Sequence, residues 1–138
     1  MSKISAHVNV TNAKRSGYPY LESIRSFANV ADEVVVVDGG STDGSLEEIA
    51  KIDKVRIIQG NKWDRFFDWT ILAKNLQIGY DNCKYQWAFK FDIDYIFHED
   101  NVKILRETLA ECDLPALEIR KCNFVTVDRY FRKDYFPV

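Results

Sequence analysis

Four consecutive valines, Val34-Val35-Val36-Val37, run straight into Asp38-Gly39-Gly40-Ser41-Thr42-Asp43-Gly44. β-Branched side chains are stiff at χ1 and suit a pleated strand. A strand with one face in water alternates apolar and polar residues, whereas an unbroken apolar run is expected where both faces are covered. The valines therefore read as a strand inside a parallel sheet, and the glycine-rich stretch ends it in a turn.

The rest of the chain supplies matching elements, because its apolar period switches repeatedly between 2 and 3.6. Ile4 to Thr11 reads as a first strand. Pro19 suits the first turn of a helix whose stripe is Leu21, Ile24, Phe27 and Ala28. After the glycine turn, a short helix places Leu46, Ile49 and Ala50 on one side, with Thr42 or Ser45 as its cap. Val55 to Ile58 makes a third strand, and Gly60 to Phe67 a loop. Trp69, Leu72, Ala73, Leu76 and Tyr80 keep helical spacing and predict a helix from Asp68 to Tyr80. Gln86 to Phe91 is a fourth strand ending on Asp92-Ile93-Asp94. A helix over Glu99–Glu111 carries Val102, Leu105 and Leu109, with Glu99 and Asp100 near its positive end. Leu117 to Val127 is strand-like. This alternation predicts right-handed crossovers and an α/β fold: a three-layer α/β/α sandwich with a mainly parallel sheet. A chain of 138 residues suffices for one such domain and is short for two.

Charge and composition narrow the partners. The formal net charge is −2 with acids and bases interspersed, so there is no basic face for nucleic acid. An anionic small ligand needs only a few backbone amides and a metal ion. Cys83, Cys112 and Cys122 are odd in number and widely spaced, which suits buried reduced thiols rather than a metal site. No apolar run is long enough for a signal peptide or a membrane span, and a cytoplasmic location is expected.

In open α/β sheets, ligands bind beyond the carboxyl ends of the strands. Three polar segments fall there: Asn9 to Asn12, Asp38 to Asp43, and Asp92 to Asp94. Asp38 emerges at the top of a buried strand, where it can accept hydrogen bonds from a base or a ribose. Gly39 and Gly40 let the backbone turn tightly and approach a ligand, although Gly, Ser, Thr and Asp are also the residues of any ordinary turn. In an extended chain Asp92 and Asp94 point to the same side. Two such carboxylates suit a cation between them, and Mg²⁺ or Mn²⁺ prefers carboxylate oxygens while bridging to phosphates. His98, Glu99 and Asp100 fit a helix start better than a ligand set.

The order Thr11-Asn12, Val-Val-Val-Val-Asp-Gly-Gly-Ser-Thr-Asp-Gly (34–44), Ala73-Lys74-Asn75 and Phe-Asp-Ile-Asp (91–94) resembles family 2 glycosyltransferases of the GT-A fold, the nucleotide-diphospho-sugar transferase type. The resemblance implies metal-dependent transfer of a sugar from a nucleotide-diphosphate sugar, usually a UDP-sugar, to a glycan, lipid or protein acceptor, with inversion. It implies that Asp38 contacts the base, that Asn9, Thr11, Asn12, Gly40, Ser41 and Asp43 line the same nucleotide-sugar pocket, and that Lys74 stands near the nucleotide. Asp92 would meet the ribose or a metal-bound water, and Asp94 would ligate Mn²⁺ or Mg²⁺. Three departures stand out. Thr11 replaces an aromatic residue common in the family, Tyr95 replaces a frequent acidic one, and the segment that usually supplies the catalytic base lies beyond the resemblance. Asp128 and Asp134 are the remaining carboxylates, and neither has a recommending spacing. The expectation is one GT-A-like domain over 1–138, either lacking the acceptor-binding part or a short form with another base, in the cytoplasm or at the cytoplasmic face of a membrane. A sugar nucleotidyltransferase would show a more glycine-rich loop than Asn12-Ala13-Lys14-Arg15-Ser16-Gly17. A non-catalytic nucleotide-sugar-binding module is the other alternative.

Overall fold

A computed structural model describes residues 2–64, 66–126 and 129–132. The four valines lie in a strand without solvent exposure on either face. That strand, β2 (Glu33–Asp38), pairs in parallel with β1 (Ile4–Val10) on one side and β3 (Val55–Gln59) on the other, and β4 (Trp87–Phe91) adds in parallel to the far side of β1. The strand order is β3-β2-β1-β4. Double coverage explains the run: Val34 and Val36 join one core layer, whereas Val37 points toward the opposite helix.

Three helices cover the first face: α1 (Tyr20–Val30), α2 (Ser45–Ile49) and α4 (Asp100–Glu111). They pack Ile24, Phe27, Ile49 and Leu109 against Ile4, Ala6, Val8 and Val10 of β1. Phe27 stacks on Phe91 at 4.3 Å between ring centres, which joins α1 to β4. Among the described residues, helix α3 (Trp69–Asp81) is the one on the second face, which gives the expected three layers.

The stripe of α3 differs from the one expected. Trp69, Ala73 and Tyr80 are exposed, and the buried positions are Asn75 and Gly79, flanked by half-buried Leu72 and Leu76. The spacing 72, 75, 76, 79 is helical, but two of its members are not apolar. The reason is the sheet beneath, where β1 presents the buried polar side chains Ser5 and His7. A side chain at Gly79 would meet His7, its Cβ lying 2.5 Å from Nδ1. The helix approaches a polar face closely, and counting only apolar residues misses that.

Smaller corrections concern the ends. Helix α2 is not capped by Thr42 or Ser45; its N-cap is Gly44 in the left-handed conformation, and Ala50 is exposed. Asp68 caps α3 by accepting from the Thr70 N–H at 2.7 Å. The strand expected over Leu117–Val127 starts only at Cys122. It forms β5 (Cys122–Thr126), antiparallel to β6 (Arg129–Arg132), as a hairpin outside the main sheet. Val127, Asp128 and Asp134 lie outside the described residues.

Candidate functional site

Because all four strands are parallel, their carboxyl ends share one edge, with Val10, Asp38 and Gln59 in register. The connections leaving that edge do not all go the same way. The chain leaves β2 toward the face of α2 and leaves β3 toward the face of α3. Adjacent strands whose following helices lie on opposite faces open a crevice between their ends, and that is where α/β sheets bind ligands. Here it opens between the β2–α2 turn and the β3–α3 loop.

The turn is held by hydrogen bonds that span the sequence. Gly39 N–H donates to the Val10 carbonyl at 2.8 Å. Asp38 accepts the Ser41 N–H on one carboxylate oxygen at 2.9 Å, which folds the turn back over the strand end. Asn12, itself in the left-handed region at φ 47°, donates its N–H to Ser41 Oγ and accepts the Thr42 N–H. Asp43 accepts from Arg15 N–H at 2.8 Å and from both the N–H and hydroxyl of Ser45 at 3.1 and 2.6 Å. Burial works to raise the Asp43 pKa, but those hydrogen bonds outweigh it and hold the carboxyl at about 2. Asn12, Ser41 and Asp43 thus spend their side chains on tying the β1–α1 loop to the β2–α2 turn.

What remains at the crevice is Asp38, nearly buried with one oxygen engaged, and the Thr11 hydroxyl, which donates to its neighbour's carbonyl, while Trp63 packs over Gly39 and Lys62 over Gly40. Asn9 lies below, and neither polar atom of its buried amide has a partner among the described residues. Lys74 is exposed on α3 and joins no hydrogen bond of this network. The loop after β3 closes the other side. Gly60 N–H donates to the Asp38 carbonyl at 2.8 Å and Trp63 N–H to the Gly39 carbonyl at 2.9 Å. Asn75 locks the loop's start by accepting from Asn61 N–H and donating to its carbonyl.

Asp92 and Asp94 stand at the end of β4 on the same edge, but not in an extended chain. The strand stops at Phe91, and Tyr95 N–H donates to the Asp92 carbonyl at 3.0 Å, so residues 92–95 form a turn. Asp92 is half-buried and paired with Lys90 at 2.5 Å. Burial raises its pKa, yet the Lys90 ammonium and the Tyr95 hydroxyl bring it below the usual carboxylate value. Asp94 is exposed. Among the described residues no cluster of three or more His, Cys, Asp or Glu could hold a metal by protein ligands alone. One or two carboxylates completed by substrate phosphates are, however, the donor set Mg²⁺ commonly uses, and this turn offers them.

Two participants escaped the sequence, Lys90 and Lys121, and a third, Trp63, was legible only as part of a loop over the pocket or a packed connection. Lys90 was readable, since it precedes Asp92 by two residues at the end of a strand, a spacing that puts neighbouring side chains on one side. Lys121, bonded to the Tyr95 hydroxyl at 2.5 Å, arrives from the segment before β5 and has no local signal. Trp63 stood in a loop without periodicity. Asp100 begins α4 with Glu99 at its N-cap and His98 just before it, the helix start expected of these residues. A groove lined by Leu21, Arg25, Glu48, Lys51, Ile52 and Asp53 lies away from this edge and gathers no comparable set.

Comparison with known proteins agrees with this geometry. The model of the family "Glycosyl transferase family 2" matches residues 18–136. A search of curated proteins returned no match. Among solved structures, TarS 1-349 of S. aureus is 22% identical, with a TM-score of 0.63, over 79% of this chain and 32% of that one. The same TarS fragment in complex with UDP-GlcNAc gives a TM-score of 0.61 at 22% identity, over 79% of this chain and 31% of that one. The mannosyltransferase PcManGT from Pyrobaculum calidifontis, in complex with GDP-Man and Mn²⁺, gives 0.54 at 19% identity, over 80% of this chain and 33% of that one. The fold is therefore that of the GT-A glycosyltransferases. The chain belongs to glycosyl transferase family 2 and spans about a third of the length of these solved relatives.

Proposed function

We propose that this chain is the donor-binding domain of a glycosyltransferase that uses a nucleotide-diphosphate sugar, with UDP-sugars as the first class to test. The observation that carries the reading is the crevice between β2 and β3, closed by Asp38, Gly39 and Gly40, on the same edge as Asp92 and Asp94. Asp38 keeps an oxygen for the base or ribose, while Asn9 and Thr11 extend that wall. The missing side chain at Gly40 makes room for Lys62, whose Cγ lies 2.8 Å from where a Cβ would stand, and Asn12, Ser41 and Asp43 hold the turn in place. Lys74 serves the nucleotide from α3 by charge. A divalent ion, Mn²⁺ or Mg²⁺, held by Asp94 with help from Asp92, would neutralise the diphosphate leaving group when bound. Lys90 keeps Asp92 ionised and turned to that side. Direct displacement with inversion is the reaction such a site serves.

The domain reading is 1–138 as a single GT-A-like unit that carries the donor half. No helix among the described residues is long and apolar enough to cross a membrane. The free thiols Cys83, Cys112 and Cys122 accord with the cytoplasmic placement we propose. The deciding experiment is a thermal shift with UDP and Mn²⁺. UDP should stabilise the chain only with the metal, and Asp94→Ala should remove the gain; no shift with any nucleotide would sink the reading. Release of UDP from UDP-sugars then separates a transferase from a module that only binds.

A further inference from the structure

We infer that Trp63 is the platform on which the donor's nucleobase stacks, an inference that rests on the nucleotide reading above. The base pocket of this chain lacks an aromatic residue at position 11. Thr11 is small, and its hydroxyl is turned back onto the Val10 carbonyl at 2.8 Å. An indole occupies the neighbouring space. A Cβ on Gly39 would lie 2.2 Å from both Thr11 Oγ1 and Trp63 Cδ1, and 2.8 Å from Trp63 Nε1, so the two side chains meet directly over Gly39. Only a residue without a side chain at 39 admits them, which gives this glycine a packing reason besides turning.

The indole is also held there. The backbone beneath it is fixed: Trp63 backbone N–H donates to the Gly39 carbonyl at 2.9 Å, and Gly60 N–H to the Asp38 carbonyl at 2.8 Å, so two main-chain bonds tie the β3–α3 loop to the β2–α2 turn. Phe67 backs Trp63 at 5.6 Å between ring centres, and Trp69 meets Phe67 edge-on at 4.7 Å. Trp63 is half-buried, so it keeps exposed surface while its ring packs over Gly39, the residue next to Asp38. A flat apolar ring next to a carboxylate suits a nucleobase, which stacks on the one and donates to the other. Stacking is tolerant of base identity because every base has a π-face. Discrimination between bases would then fall to Asp38.

The test measures UDP and pyrophosphate, each with Mn²⁺, by calorimetry on the wild-type chain, Trp63→Ala and Trp63→Phe. Loss of stacking should weaken UDP about 10- to 100-fold in Trp63→Ala, leave pyrophosphate unchanged, and be largely restored in Trp63→Phe. A second readout covers the case where Trp63→Ala does not fold. The chain has three tryptophans, Trp63, Trp69 and Trp87, so Trp69→Phe with Trp87→Phe isolates the Trp63 emission. UDP should quench that emission with the calorimetric Kd, and pyrophosphate should not. Equal UDP affinity in Trp63→Ala and wild type, equal losses for both probes, or a silent Trp63 would overturn the inference while leaving the donor reading intact. Failure of the wild type to bind any nucleotide would instead overturn both.

Discussion

Asp43 does more than its place in a glycine-rich turn suggests. It satisfies two donors at the start of α2 and one from the β1–α1 loop. Its folded pKa of about 2 lies below the ordinary 3.8, so its stabilisation is present above about 4 and fades as pH falls toward 2. Asp43→Asn would put an amide nitrogen against a donor. It should cost about 1 kcal/mol near neutrality, the group being partly exposed. Urea unfolding at pH 7 and pH 3 checks this: the gap from wild type should narrow at the lower pH. The sequence showed that residues 38–44 form a turn at a strand end, because glycine and short polar residues say so locally. It did not show that Asn12 and Ser41 brace one another, because that bond joins residues 29 apart. Nor did it show the turn at Asp92, since strand spacing alone implied an extended chain.

Helix α3 illustrates what pattern reading can and cannot do for an element. Its existence and length were legible from 3.6-residue spacing. Its orientation was not, because the buried stripe includes Asn75 and Gly79, and the large apolar Trp69 and Tyr80 face outward. Two substitutions separate the stripes. Gly79→Ala drives a methyl to 2.5 Å from His7 Nδ1 in a closely packed layer. The overpacking cost of about 1–3 kcal/mol should outweigh the roughly 1 kcal/mol that alanine gains over glycine in a helix. Trp69→Ser on the exposed face should change stability by no more than about 0.5 kcal/mol. Denaturant midpoints for the two would have to reverse for the assigned stripe to be wrong. His7 bears on the same layer: burial first, and then the Lys90 charge, lowers its pKa, so it stays neutral beneath α3.

At the scale of the molecule, the two ends of the sheet do different work. The layered fold followed from four valines and alternating periods, whereas the β5–β6 hairpin did not, because its pairing partner had no readable signal. The carboxyl end of the sheet holds the candidate site, and the amino end holds Glu33, nearly buried at the start of β2. Glu33 accepts from the Ser5 hydroxyl at 2.7 Å and the Lys84 N–H at 2.6 Å, and faces Arg56 at 3.4 Å. One carboxylate thus joins β1, β2, β3 and the segment between α3 and β4. Burial raises its pKa, but these partners together bring it below 4.5. Its stabilisation is therefore present above that value and is lost as pH falls below it. Glu33→Gln leaves donors unmatched and should cost about 1–3 kcal/mol at pH 7, less at pH 4. Its distance from the crevice makes a second expectation: the Kd for UDP with Mn²⁺ should match wild type wherever the variant is folded. A variant that loses UDP affinity while keeping its unfolding midpoint would mean that the two ends are coupled through the sheet. A lowered midpoint with unchanged affinity is the result that this division of labour requires.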